Sequence, residues 1–299
     1  MRIICRSPAK INLALHVTGQ REDNYHLIDT LVVFTAFGDE LVLSCPDNIE
    51  HDQLQLSGPF CHALPDNGDN LVLRAVAGLR ELLLSRGVNA PAVRIELQKN
   101  LPISSGIGGG SANAAASLRG LSRLWNISDD GLIQEVAVKL GADIPMCIKS
   151  RTLRARGIGG QLEQLAGNTD FHLLLVNPGV SIATTDVFRS LNRKDNLPIV
   201  FPETNSMPSI EMMSNYRNDL QEPAIISAPI ILTVLNEMNA LPAIRFCRMS
   251  GSGATCFGIF DTPEAAENAA QILATEYPDW WVKPTRLINN EEELDCVIQ

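Results

Sequence analysis

The stretch LPISSGIGGGSANAA, residues 101–115, decides how this chain is read. Just upstream Val93, Ile95 and Leu97 alternate as a strand, and downstream an alanine-rich run predicts a helix beginning about Ser111. Between them, behind Pro102, stand Gly106, Gly108, Gly109 and Gly110. Glycine admits positive φ and close backbone approach, and the free N–H groups and dipole at a helix start favour an anion. Phosphate is the natural guest of such a junction. The Ser111 hydroxyl stands where it can reach a phosphate oxygen or a magnesium ion. No Gly-Lys-Ser/Thr closes the loop as in a Walker A motif, and Ser111 fills the last glycine position of the GxGxxG dinucleotide fingerprint. A flexible connector is the bland alternative, and packing poorly explains so many glycines at a strand-to-helix junction.

Outward from the loop, Ile11, Leu13, Leu15 and Val17 alternate with Lys10, Asn12, Ala14 and His16, which predicts a half-buried strand with Lys10 and Asn12 on one face. After a polar turn over residues 18–24, apolar runs at 27–37 and 41–45 read as two antiparallel strands, and residues 46–69 as a loop. Asn70 caps a predicted helix with the stripe Leu71, Ala75, Val76, Leu79, Leu82 and Leu83, stopped by Gly87. Another helix is expected from a cap at Ser128 to Gly141. In the second half, strands are expected at 171–176, 244–248, 256–260 and 280–287, and helical segments near 186–191, 229–238 and from Thr262-Pro263 onward. Glycine and polar residues accumulate over 157–168, so the expected domains are 1–160 and 161–299.

At 299 residues and 45% hydrophobic content the chain can bury two cores. Its formal charge of −10 works against non-specific attraction to nucleic acid or anionic membrane, so a phosphate-bearing ligand must be held by local donors. Cys5, Cys45, Cys61, Cys147, Cys247, Cys256 and Cys296 are irregularly spaced, without a CxxC, and most are expected to be reduced packing residues. No secretory h-region or bilayer-length apolar run stands out, so a cytoplasmic location is expected.

With PAKINLALHV near the start, the glycine loop in the middle and MSGSGATCF near the end, the chain resembles the GHMP kinase family in three motifs and in their order. The resemblance implies an α+β, two-domain fold: an N-terminal domain like domain 2 of ribosomal protein S5, a ferredoxin-like C-terminal domain, and the active site between them. It implies a kinase using ATP with Mg²⁺ on a small-molecule alcohol. No nucleic-acid or membrane partner is expected, and the chain is expected to be a monomer or weak homodimer.

Residue roles follow from the same resemblance. Lys10, in PAKIN, and Asp143, in LGADIP, match the catalytic pair. Pro102, Gly106, Gly108, Gly109, Gly110 and Ser111 match the ATP-phosphate loop, and Lys99, Asn70 and Leu71 match positions near adenine. No dedicated protein ligand set for the metal is expected beyond Ser111. The segments TGQREDNYHLIDTL, GGGSANAA and LGADIP are most similar to the branch that recognises a cytosine ring. There Tyr25 and Phe188 would stack on the base and His26 would hydrogen-bond it, with Asn12, Gly251, Ser252 and Gly253 as further substrate contacts. Homoserine, mevalonate or sugar kinases of the family are the nearest alternatives, since phosphate loop and Lys/Asp chemistry do not select the acceptor. A catalytically silent module on the same fold is the other, and the presence of both Lys10 and Asp143 argues against it. Taken alone, Asp143 reads as a residue ending a helix after Gly141, and Lys10 as an exposed strand lysine.

Overall fold

The computed structural model describes residues 1–166, 171–201, 206–288, 294 and 296–298. Two long antiparallel strands, β1 (Arg2–Gln20) and β2 (His26–Ser44), form the spine of the first sheet. The two apolar runs expected as separate strands are one strand, whose two ends pair with different neighbours. Residues 40–44 of β2 pair with β4 (Arg94–Gln98), and residues 28–32 pair with β5 (Leu153–Gly157). The segment expected as a loop holds β3 (Gln53–Ser57), which runs parallel to β4, and a 3-10 turn at Cys61–Ala63. Its exposed and half-buried residues alternate along β3, an edge strand too polar to announce itself by apolar content.

Four helices cover one face of this sheet: α1 (Leu71–Leu84), α2 (Gly109–Leu124), α3 (Asp130–Leu140) and α4 (Ile144–Lys149). Asn70 caps α1, its side-chain oxygen accepting from Val72 N at 2.9 Å. The α3 cap is Asp129 rather than Ser128, and α2 starts at Gly109, two residues before Ser111, because Gly108 in the left-handed region (φ +66°) lets the chain turn directly into the helix. The hairpin of β5 with β6 (Gln161–Gln164) extends the first sheet, so the expected division at residue 160 falls within its turn.

The second sheet contains β7 (His172–Asn177), β8 (Phe246–Met249), β9 (Cys256–Phe260) and β10 (Trp281–Arg286) in the order β10-β7-β9-β8, all antiparallel. Helices α5 (Thr184–Arg189), α6 (Ile210–Ser214), α7 (Gln221–Ser227) and α8 (Ile230–Asn239) lie between β7 and β8, and α9 (Pro263–Glu276) between β9 and β10. That order and connectivity are those of a ferredoxin-like domain. The last strand, β11 (Val297–Ile298), returns to pair with β1.

The expected half-buried β1 is instead buried throughout residues 7–17. Ile11 and Leu13 pack with Leu173, Leu175, Phe257 and Ile259 of the second sheet, so this side of the strand faces the other domain rather than water. Its polar side chains therefore lie inside the molecule, where each needs a partner. Cys5 on β1 and Cys296 beside β11 are joined in a disulfide, a pairing across 291 residues that their spacing did not signal. Among the described residues no helix is long and apolar enough to cross a membrane.

Candidate active site

Lys10 lies where β1 passes beneath the glycine loop. Its backbone N–H donates to Ile107 O at 2.9 Å, and a Cβ on Gly108 would come within 3.1 Å of the Lys10 side chain. The Lys10 ammonium donates to Asp143 Oδ2 at 2.6 Å. Lys10 is nearly enclosed while the Asp143 side chain stays 39% exposed, so the pair is supported from below and open above. Burial works against the charge of Lys10, but Asp143, Cys147 and the hydrogen bond to Asp143 outweigh it and leave the ammonium pKa above its ordinary value. Asp143 occupies the N-cap position of α4 yet makes no capping bond, which leaves its carboxylate for Lys10. The isolated reading of Asp143 as a helix stop is thus reversed: it begins a helix.

The three sequence motifs meet at one hydroxyl. Ser250 Oγ accepts from Asn12 N at 3.0 Å and donates to Gly106 O at 3.0 Å. Thr255 N donates to Ser105 O at 3.1 Å, and a Cβ on Gly106 (φ +75°) would lie 2.6 Å from Gly253 N. The two glycine turns therefore lie backbone against backbone, a separation that side chains would prevent. Asn12 is held by Nδ2 donating to Thr30 Oγ1 at 2.8 Å, and Thr30 in turn donates to Ala14 O at 2.6 Å.

A cavity of about 510 Å³ opens between the domains over these groups. Of the residues singled out in the sequence, Lys10, Asn12, Leu71, Lys99, Pro102, Gly106, Gly108, Gly109, Gly110, Ser111, Asp143, Phe188, Gly251 and Ser252 line it. Asn70 does not: both ends of its amide are used, by Val72 N and by Pro65 O at 2.7 Å. Lys99 reaches the cavity wall but its ammonium is turned inward, 2.6 Å from Asp39 Oδ2. Burial ahead of the pull from Asp39 lowers the Lys99 pKa. Asp39 also accepts from the N–H groups of Asn100 and Leu101 and from Asn113 Nδ2, so this buried carboxylate anchors both ends of the glycine loop. Gly253 packs behind the wall, where a Cβ would meet Met249 Sδ at 2.6 Å.

The aromatic group differs from the expected sandwich. His26 stacks directly on Phe188, ring centroids 4.8 Å apart and planes 28° apart, while Tyr25 is 61% exposed and outside the cavity lining. The two rings bury their faces on each other. His26 Nε2 is buried without a hydrogen-bond partner, and burial, then Lys194, lowers the pKa of the ring. The sequence reading missed Thr30, Thr184 and Ser250. Thr184 Oγ1 lies 2.8 Å from Ser252 Oγ on the cavity wall, one helical turn before Phe188, a spacing that could have pointed to it. Thr30 sits in an apolar strand and carried no signal.

Residues 70–151 match the model of the GHMP kinases N-terminal domain, and residues 205–279 that of the GHMP kinases C-terminal domain. The chain belongs to the GHMP kinases. Within them it is 45% identical over 288 residues to a 4-diphosphocytidyl-2-C-methyl-D-erythritol kinase of Mesorhizobium japonicum, spanning 95% of this chain and 96% of that one. It is 47% identical over 289 residues to the kinase of the same name from Agrobacterium fabrum, spanning 94% and 95%. Among solved structures, a 4-(cytidine 5'-diphospho)-2C-methyl-D-erythritol kinase superposes with a TM-score of 0.76 at 31% identity, covering 96% of this chain and all of that one. The α+β fold of two GHMP domains is therefore established for this GHMP kinase, with Lys10 on the N-terminal strand and Asp143 within the matched N-terminal domain.

Proposed function

We propose that this chain transfers the γ-phosphoryl group of ATP to the 2-hydroxyl of 4-diphosphocytidyl-2-C-methyl-D-erythritol, giving ADP and the 2-phosphate in non-mevalonate isoprenoid synthesis. The observation that carries the chemistry is the 2.6 Å contact of Lys10 with Asp143 at the base of a cavity edged by the glycine loop. The near-full-length similarity to kinases of that name supports the choice of acceptor.

Phosphoryl transfer needs an aligned hydroxyl and compensation for charge on the transferring group. Asp143, open to the cavity, orients the acceptor hydroxyl and takes its proton. Lys10, kept cationic by Asp143, favours the developing alkoxide. The new O–P bond forms as the bond to the ADP oxygen breaks, and the electron pair leaves with ADP. Backbone amides at the start of α2 face the phosphate oxygens. Phe188 and His26 part to admit the cytosine, with His26 Nε2 available to hydrogen-bond it.

Among the described residues no cluster of three or more His, Cys, Asp or Glu is placed to hold a metal. The Ser111 hydroxyl, on the cavity wall at the start of α2, is the protein oxygen that would reach a Mg²⁺ carried on the nucleotide phosphates. Bound there, the ion neutralises phosphate charge.

An ADP-release assay with the cytidylylated methylerythritol, mevalonate, homoserine and galactose tests this reading. The cytidylylated acceptor is expected to be turned over fastest, and cytidine diphosphate to compete with it. Faster turnover of mevalonate would reject the proposed acceptor.

A further inference from the structure

Asn218 stands outside the three motifs and outside the cavity lining, and its side chain is fully committed. Its Nδ2 donates to Met249 O and to Gly251 O, each at 2.8 Å, and its Oδ1 accepts from Leu220 N at 3.0 Å. The two carbonyls bracket Ser250, the hydroxyl where Asn12 and the glycine loop meet. Gly251 itself holds φ +53° and lies so close to the loop that a Cβ would come within 2.7 Å of Gly106 O. Inside the turn Gly253 N donates to Ser250 O at 3.0 Å and Ser250 N to Thr255 O at 2.9 Å, while the carbonyls on either side of Ser250 both accept from the one amide of Asn218.

Asn218 is positioned by the strand that carries Lys10. Leu15 N donates to Arg217 O and Asp219 N to Leu15 O, both at 2.8 Å, which lays residues 217–219 along β1. His16 Nε2 accepts from Arg217 N at 3.0 Å, and Asp219 Oδ2 accepts from Val17 N at 2.8 Å. The ring is closed: β1 holds residues 217–219, Asn218 holds the turn at 249–251, and Ser250 within that turn holds Asn12 on β1.

We propose that Asn218 is a positioning residue for the phosphoryl transfer. By donating to both carbonyls it fixes Gly251 and Ser252 against the glycine loop and so sets where the acceptor lies relative to Lys10 and Asp143. The proposal rests on the kinase reading above for its reaction, but not on the identity of the acceptor. Misplacement of reacting groups by about 1 Å costs about 10²-fold in rate, so the amide is worth a large factor although it touches no substrate.

Asn218→Asp keeps the oxygen that accepts from Leu220 and replaces the donating NH₂ by an oxygen facing two carbonyls. With the best acceptor of the panel, kcat is expected to fall about 10- to 100-fold and the acceptor KM to rise, while the KM for ATP stays within about threefold. Lowering the pH should narrow the gap to the parent, since the introduced carboxyl, once protonated, regains one donor. Asn218→Ser, which is too short to reach both carbonyls, should show the same split and no such pH recovery. A kcat within twofold of the parent in either folded variant overturns the proposal. So does an equal loss in kcat and in ATP affinity, or a loss that only tracks the folded fraction in a thermal melt. A parent inactive on the cytidylylated acceptor but active on another panel alcohol would reject the acceptor alone and leave Asn218 testable on that alcohol.

Discussion

Lys10 Nζ lies 2.6 Å from Asp143 Oδ2, although 133 residues separate them in the chain. The pair joins the first strand to the first residue before α4, and the burial of the two is unequal, 8% and 39% exposed. In the proposed transfer this leaves the carboxylate open to an acceptor hydroxyl and the ammonium enclosed beneath it.

Replacing either member should stop turnover without dismantling the nucleotide site. Asp143→Ala and Lys10→Ala are each expected to lower kcat by about 10²–10³-fold or more, with ATP affinity by calorimetry changed only a few-fold. Because the folded pKa of Lys10 is raised above 10.5, its contribution to stability is complete below that value and is lost only as pH climbs through the raised pKa. The rate should therefore show no Lys10 limb between pH 6 and about 10. Full activity in Asp143→Ala would remove that carboxylate from the mechanism.

Ser250 is wholly buried and satisfies Asn12 N and Gly106 O together. Ser250→Ala leaves one buried donor and one buried acceptor without partners, which should cost about 1–3 kcal/mol of stability. Urea unfolding measures this, and a change within about 0.5 kcal/mol would mean that the hydroxyl is not what joins the motifs.

The acceptor side should separate from the nucleotide side at Phe188. Phe188→Ala removes the ring on which His26 stacks and on which a cytosine would stack in turn. A base–aromatic contact of about 1–3 kcal/mol corresponds to roughly a 5- to 150-fold rise in KM for a cytidylylated acceptor. The KM for ATP should not move. An equal rise for both substrates would place Phe188 in the general packing of the cleft.

His16 supplies a pH test. Its Nδ1 lies 2.9 Å from Leu197 O, its Nε2 accepts from Arg217 N, and burial leads the causes that lower its pKa below 6.5. With the folded pKa below the unfolded one, the unfolded chain binds more protons in the interval between them, so stability is lost as pH falls from about 6.5 toward the folded value. Between pH 7.5 and 5.5 the parent should lose more unfolding free energy than His16→Gln. Parallel losses would show that folding does not shift the pKa of the ring.

Local physics made much of this legible from sequence. The alternation of Val93, Ile95 and Leu97, the glycines at 106, 108, 109 and 110 and the alanine-rich segment after them determine a strand, a tight turn and a helix, because backbone freedom and local propensity are properties of neighbouring residues. The Asn70 and Thr262 caps and the alternation of β1 were readable for the same reason. Only the tertiary structure decided that β1 is buried on both sides, since that depends on a second sheet arriving from the other half of the chain. It also decided that Lys99 serves Asp39, that His26 stacks on Phe188, that Cys5 meets Cys296, and that Ser250 and Asn218 hold the motifs together. These are pairings across long chain separations, and a side chain's own sequence neighbourhood carries no record of which distant partner will satisfy it once water is excluded.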